Sequence, residues 1–402
     1  MSKPELLIRD GGQEFELMCL AARIEFGTAE AIRIRDLIAE GIDWAAFLAG
    51  VERNYVAPVV HRSLKSIDGA SVPARVLDTL RVRSKITAFK SQLFAVELAR
   101  LAKAFESTAI EVIHYKGAVT AQDYYGSVVL RNFNDLDFLV RRRDLPALFA
   151  MLETQGYVNS EQLTASELVH YVREFKEFLF TRGEISLEPH WSIVARRYPF
   201  ETDYEGFWQR SRMLQLCGAD LRVLSGEDSL LVLSLVGAKG EWKRLQMVTD
   251  VAACLRRFPE LDWAQVQSTA TATGTARILH LALLLAADLS GARLPESGDA
   301  TMRNSATTRR LARQIVKSLA IAPAPPRFLP DSPSIFSPLL FRQRERYRDR
   351  WLYLWRTTTT PEPTHLRRFS LPGVAYPLYS LLVPLHDFVL FPAYQLAKLL
   401  FR

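Results

Sequence analysis

Apolar residues recur at three- and four-residue spacing over roughly the first 95 positions, with Trp44, Phe47, Leu48 and Val51 on one helical face. Thr28 and Asp43 stand where N-caps would begin two of these helices. The pattern then changes. Val112 and Ile113 make a short apolar run, Ala118 to Tyr125 reads as helix, and Leu136, Phe138, Leu139 and Val140 are the β-prone run of a buried strand. Glu174 to Thr181 and Glu184 to Glu188 read as two strands joined at Arg182-Gly183. Helical spacing returns after about residue 201. Ser225 ahead of Glu227 and Asp228 is a capping signal, and Trp242, Leu245, Val248, Val251 and Leu255 repeat along one stripe. Proline and serine crowd the stretch APAPPRFLPDSPSIFSP from Ala322 to Pro338, which predicts a linker. The expected organisation is a helical region over 1–95, an α/β core over 96–200, a helical domain over 201–321, a linker over 322–341 and a basic, apolar tail over 342–402.

A chain of 402 residues with 49% hydrophobic and 24% charged residues can bury a sizeable core, which excludes a disordered or collagen-like protein. A net charge of +7 points to anionic partners such as nucleotides, nucleic acid or acidic lipid. Cys19, Cys217 and Cys254 are odd in number and far apart, so neither a disulfide framework nor a zinc motif is expected, and a reducing cytoplasm fits. The first residues lack the apolar core of a signal peptide, and no apolar run is long enough to span a bilayer. The tail is rich in Leu, Val, Phe and Tyr yet broken by Pro372, Pro377, Pro384 and Pro392. Two readings of it stand open: packing against the body of the protein, or peripheral contact with an anionic membrane, which Arg342, Arg344, Arg346, Arg348 and Arg350 would favour and Glu345 and Asp349 would dilute.

The chemistry concentrates around Asp135 and Asp137. Residues two apart on a strand point the same way, so both acids project from one face at the start of the predicted strand. Such a pair repels itself unless a cation joins it, and Mg²⁺ held by one or two carboxylates together with substrate phosphates is the usual solution. Upstream, strand, Lys116-Gly117 and helix start would offer backbone N–H groups to a phosphate, although such turns also end strands for steric reasons alone. Glu188 falls at the end of a strand, beside His190 and Trp191, as a third acid of a metal site or as a surface acid. Lys239, Lys243 and Arg244 form either a solvated basic face or a contact with triphosphate.

Lys116-Gly117, Tyr125, Arg131 and the run Asp135-Leu136-Asp137-Phe138-Leu139-Val140, followed by Leu187-Glu188-Pro189-His190-Trp191, resemble the uncharacterised nucleotidyltransferases of the DNA polymerase β-like superfamily. The resemblance implies an α+β fold, a mixed polymerase-β-like sheet flanked by N-terminal and C-terminal helical regions. It implies transfer of a nucleoside monophosphate from a nucleoside triphosphate to an acceptor: a protein, sugar, small molecule or RNA. Asp135, Asp137 and Glu188 would hold Mg²⁺ or Mn²⁺, while Lys116, Gly117 and Arg131 would bind phosphate or order the site. Three departures stand out: Glu188 replaces an Asp, Ala118 replaces a second Gly or a Ser, and no His precedes Trp242. A catalytically silent nucleotide-binding scaffold is the alternative. A sequence-specific nucleic-acid reader finds no recognisable module here.

Overall fold

The computed structural model describes residues 7–67, 72–161, 163–294, 305–321, 336–369 and 371–391. Five helices come first: α1 (Gln13–Ala21), α2 (Thr28–Glu40), α3 (Trp44–Arg53), α4 (Ala57–Ile67) and α5 (Ala74–Glu106). Asp43 caps α3 as its position implies, its carboxylate accepting from the N–H groups of Ala45 and Ala46. Thr28 does not cap α2. Gly27 holds that place, and Glu30 reaches back to accept from the Gly27 N–H at 2.9 Å. The 33-residue α5 runs straight through the boundary expected near residue 95, so the N-terminal region and the α/β core share one rod.

The sheet has seven strands: β1 (Val112–His114), β2 (Leu136–Val140), β3 (Val158–Asn159), β4 (Phe180–Arg182), β5 (Ile185–His190), β6 (Arg212–Leu216) and β7 (Ala219–Val223), in the order β3-β4-β5-β2-β1-β7-β6. It is mixed, with β1 antiparallel to β2 but parallel to β7, and β2 parallel to β5. Between the strands lie α6 (Gly117–Tyr125), α7 (Leu145–Thr154), α8 (Ala165–Glu174) and α9 (Tyr204–Arg210). The two-residue alternation of β2 splits its side chains. Leu136, Phe138 and Val140 join Leu187, Val112 and α5 residues such as Phe94 and Leu98 in one buried layer. Leu139 joins Ile113, Tyr115, Ile193, Phe207 and Val232 in the layer on the opposite face. Asp137 shares that second face by its parity with Leu139.

Two expected strands need correction. Glu174 to Leu179 is not strand: Thr164 and Glu167 form a reciprocal cap that starts α8, which runs to Glu174, and β4 begins only at Phe180. The region after residue 201 is not wholly helical either, since β6 and β7 form a hairpin around Cys217-Gly218, both with positive φ. The helical domain that follows comprises α10 (Gly226–Lys239), α11 (Leu245–Arg257), α12 (Trp263–Ala272), α13 (Ala276–Ser290) and α14 (Ala306–Ala320). Ser225 caps α10 by accepting from the Asp228 N–H. These helices pack with α1 to α4 into one apolar cluster that includes Leu37, Val60, Trp242, Leu283 and Ile315.

Residues 322–335 of the expected linker lie outside the described residues. Its end is helix, α15 (Pro338–Gln343), with Leu339 and Leu340 buried. The remaining helices are α16 (Tyr347–Thr359), α17 (Pro363–Phe369) and α18 (Tyr379–Leu385). Leu366, Tyr379 and Val383 insert into the cluster beneath the sheet, and buried Arg344 donates to the Pro199 carbonyl at 3.1 Å. Residues 342–369 and 371–391 are therefore docked along one side rather than hung from a linker.

Candidate active site

The site is built where β2 and β5 run side by side. Their parallel register sets Asp137 directly against Glu188 and Leu139 against His190, so Asp137, Glu188 and His190 share one face. The expectation that both acids of the pair project from the strand start holds for Asp135, which precedes β2 and is partly exposed. Asp137 lies within the strand and is buried. One ligand atom from each of Asp137, Glu188 and His190 lies within 4.8 Å of the other two. Asp135 stands one step back along the same strand face, close enough to feel both acids. Its carboxyl is pushed up to about 7, by burial first and then by repulsion from Asp137 and Glu188.

Asp137 is held the other way. Burial alone would raise it, but Lys116 at 3.1 Å and the His190 Nε2 at 2.7 Å hold it well below the usual carboxylate range. His190 is fully buried, and burial with Lys176 nearby keeps its imidazole below its ordinary pKa. Its Nδ1 faces Glu177 at 3.1 Å and the Lys176 Nζ at 3.4 Å. A carboxylate on the far nitrogen is the usual support for an imidazole that binds a metal, because it accepts a hydrogen bond from that nitrogen's N–H and leaves the other nitrogen's lone pair free to ligate. The carboxyl groups of Asp135, Asp137 and Glu188 form a hard-oxygen donor set that fits Mg²⁺ or Mn²⁺, with the His190 imidazole as a nitrogen neighbour.

Cations face these acids. Lys239, at the end of α10, lies close enough to Lys116, Asp137 and Glu188 to be affected by all three, and burial and Lys116 push it down to about 8. Lys176, which precedes β4, is buried and paired with Glu177, and burial, Lys239 and Lys116 push it down to about 6. Its lone position in a stretch that reads as strand gave no hint of this role. Lys243 lies elsewhere, 66% exposed and 3.5 Å from Glu241, and Arg244 stacks over the Tyr55 ring at 3.9 Å. Both fit the solvated-face reading.

Arg131 is engaged away from the acids. Its guanidinium grips Asp250 of α11 through Nε at 2.7 Å and Nη2 at 2.8 Å, and the Tyr125 hydroxyl donates to the same carboxylate at 2.8 Å. All three residues are buried. Arg131 thus ties the loop before β2 to the helical domain, its guanidinium committed to Asp250. Its partner Asp250 is a residue that the sequence pattern did not single out.

The turn after β1 is conformationally costly. Lys116 sits at φ 60°, ψ −163°, a region that side chains avoid, and Gly117 at φ 48°. A Cβ on Gly117 would stand 3.2 Å from the Asp135 carbonyl oxygen. Glycine is required there both for its backbone angle and for the close approach of the two loops. Gly117→Ala is expected to cost about 1–2 kcal/mol in chemical denaturation and to weaken nucleotide binding, because the strain displaces Lys116. A melt unchanged from wild type would show that the turn is not under constraint.

The raised carboxyl of Asp135 gives a pH test. Its folded value near 7 exceeds its ordinary 3.8, so the folded protein holds that proton more tightly and this group's contribution to stability falls as pH rises from about 4 to 7. In chelator-treated protein, Asp135→Asn should melt level with wild type near pH 4 and be more stable at pH 8, by on the order of 2 kcal/mol given the partial exposure of the carboxyl. Equal stability at pH 8 would contradict the crowding of the acids.

The mixed sheet thus carries an Asp-x-Asp strand beside a third acid, with lysines nearby. The chain belongs to the uncharacterised nucleotidyltransferase family, whose model matches residues 40–291. Among solved structures, the chain is similar to the antibiotic-resistance factor ANT(2'')-Ia, with 14% identity over 45% of this chain and 91% of that one and a TM-score of 0.32. It is also similar to an antigenic nucleotidyltransferase-like protein from Paracoccidioides brasiliensis, with 16% identity over 50% and 93% of the two chains and a TM-score of 0.30. Scores this low bear on nothing further. No curated protein matches.

Proposed function

We propose that this protein transfers a nucleoside monophosphate from a nucleoside triphosphate to an acceptor hydroxyl in the presence of Mg²⁺ or Mn²⁺. One observation carries the reading: acids and lysines face each other across the β2–β5 seam, and one acid and two lysines there are pushed toward their neutral forms. Asp135 is crowded toward protonation, while Lys176 and Lys239 are crowded toward deprotonation. A divalent cation and a polyphosphate arriving together relieve both strains, since each supplies the opposite charge that the site lacks.

Asp135, Asp137 and Glu188 would hold the metal, with His190 beside them, and the bound ion would supply charge for the phosphates and acidify the acceptor hydroxyl. Lys116 and Lys239 neutralise the triphosphate, and Lys176 supports His190 from behind. The open N–H groups at the start of α6 add donors on the same side. Glu188 is the acid nearer solvent, with 27% of its side chain exposed against 4% for Asp137, and marks the side from which an acceptor enters. In the reaction the acceptor oxygen bonds the α-phosphorus as it loses its proton, and pyrophosphate leaves. The silent-scaffold alternative gains nothing from this arrangement, because all three acids are in place.

The test is incubation with each triphosphate labelled at the α- or the γ-phosphate, with Mg²⁺ or Mn²⁺ and a cell extract. The reading expects α-label on a new species and γ-label only in pyrophosphate. If γ-label is transferred, the reaction is phosphoryl transfer instead. If neither label moves although nucleotide binds, the scaffold alternative stands.

A further inference from the structure

The helices after residue 338 carry an exposed surface that the catalytic reading leaves unused. On α16, Tyr347, Trp351 and Trp355 follow one another at four-residue spacing and are 76%, 69% and 61% exposed. On the neighbouring stretch, Tyr379 and Val383 point into the core while Leu378, Leu381, Leu385 and Phe388 face outward at helical spacing. A surface helix normally turns its apolar stripe inward and its polar stripe out. Here outward positions are apolar as well, and α16 and α18 pack against each other, so neighbouring helices together present an apolar surface.

The charges around this patch are sorted by sign. Between residues 338 and 391, the exposed charged side chains among the described residues are Arg342, Arg346, Arg348, Arg367 and Arg368, with no acid among them. The two acids that dilute the run in the sequence are withdrawn: Asp349 is buried, and Glu345 accepts from the Arg277 N–H at 2.9 Å. Folding thus leaves only cations among the exposed charged side chains of this stretch, with Arg367 paired to Glu161.

The platform is also pinned in place. His365 Nδ1 accepts from the Glu362 N–H at 3.0 Å, and His386 Nε2 faces the Arg368 guanidinium at 2.8 Å. These donors set the protons on the inner nitrogens, so both imidazoles donate to Asp387 Oδ1, each at 2.8 Å. Through Asp387 the cluster ties α17 to the turn His386–Leu390.

We infer that this face docks the protein on the surface of an anionic lipid bilayer. Tryptophan and tyrosine settle at the headgroup level, leucine and phenylalanine reach the acyl boundary, and arginines keep their charge among anionic headgroups. No single helix among the described residues is long and apolar enough to cross a membrane, although the bent pair Pro363–Phe369 and Val374–Leu390 has the length and composition to do so together; the contact we infer is a peripheral one. The patch contains none of the residues assigned to catalysis, and its test is independent of that reading.

The full chain is to be sedimented with vesicles of phosphatidylcholine alone, and of phosphatidylcholine with about a third phosphatidylglycerol. Binding is expected to be about tenfold stronger or more on the anionic vesicles and to fall as salt rises. Trp351→Ser with Trp355→Ser, and separately Arg342→Glu with Arg348→Glu, should each lower it about tenfold at unchanged melting temperature. Equal partitioning on the two vesicle types, or variants that bind as wild type does, would overturn the proposal. So would a wild-type chain that ignores vesicles but sediments as a dimer broken by the tryptophan substitutions, because the patch would then belong to a second copy.

Discussion

Asp137→Asn should lower nucleotidyl transfer by about 10³-fold or more, the largest loss of any single substitution in the site, because it removes the buried, charged carboxylate at the centre of the cluster. Asp137 meets Glu188 in register, pairs with Lys116 and receives His190. The amide keeps the shape and one acceptor oxygen but cannot neutralise a cation. The same change should cost the metal-free fold about 1–3 kcal/mol, since Lys116 loses its partner and the remaining lysines repel one another. In a site where acids merely crowd each other, the substitution would instead stabilise the fold. Its neighbour Asp135 is the acid for which that holds, and the two variants should therefore shift the melt in opposite directions at pH 8. A variant Asp137→Asn that transfers at the wild-type rate would remove Asp137 from the mechanism.

The second large effect is on stability. Asp250→Leu leaves the Arg131 guanidinium buried without its carboxylate, and removing one member of a buried pair typically costs about 3–5 kcal/mol. The Tyr125 hydroxyl loses its acceptor as well. Arg131→Met combined with Asp250→Leu should recover much of the loss, because an apolar pair asks for no desolvated charge. Chemical denaturation of wild type, the two single variants and the double variant measures the coupling. Additive losses would mean that Arg131 and Asp250 do not depend on each other. Activity should fall in Asp250→Leu even where it is folded, since this pair joins the loop that carries Asp135 to the helical domain that carries Lys239.

What could be read from the sequence was local. The two-residue alternation of Asp135 and Asp137 already put them on one face, and the apolar run after them marked the strand that holds them. Glu188 was legible through its strand and neighbours, and its pairing with Asp137 needed only that β5 lie next to β2. The long-range partners were not. Arg131 and Asp250 are 119 residues apart, and nothing in either segment names the other. Lys176 sits in a short irregular stretch that resembles strand, where a single lysine reads as an exposed residue. The β6–β7 hairpin was masked by its exposed Met213 and Gln215 among helical neighbours, although Cys217-Gly218 and the alternation of Leu221 and Val223 carried the signal. Asp349 and Glu345 show the converse. Their sequence neighbours are arginines, so they read as diluting a basic patch, and only the fold reveals that they face away from it.

The most direct measurement of the central claim is anomalous scattering from crystals grown with Mn²⁺ and a triphosphate that cannot be cleaved at the α-phosphate. The account predicts manganese bound to Asp137 and Glu188, with the phosphates turned toward Lys116 and Lys239. A hollow of about 770 Å³ bordered by Arg23, Thr249, Arg256 and Arg293 contains none of the assigned residues. Nucleotide found there, with no manganese at the β2–β5 seam, would contradict it.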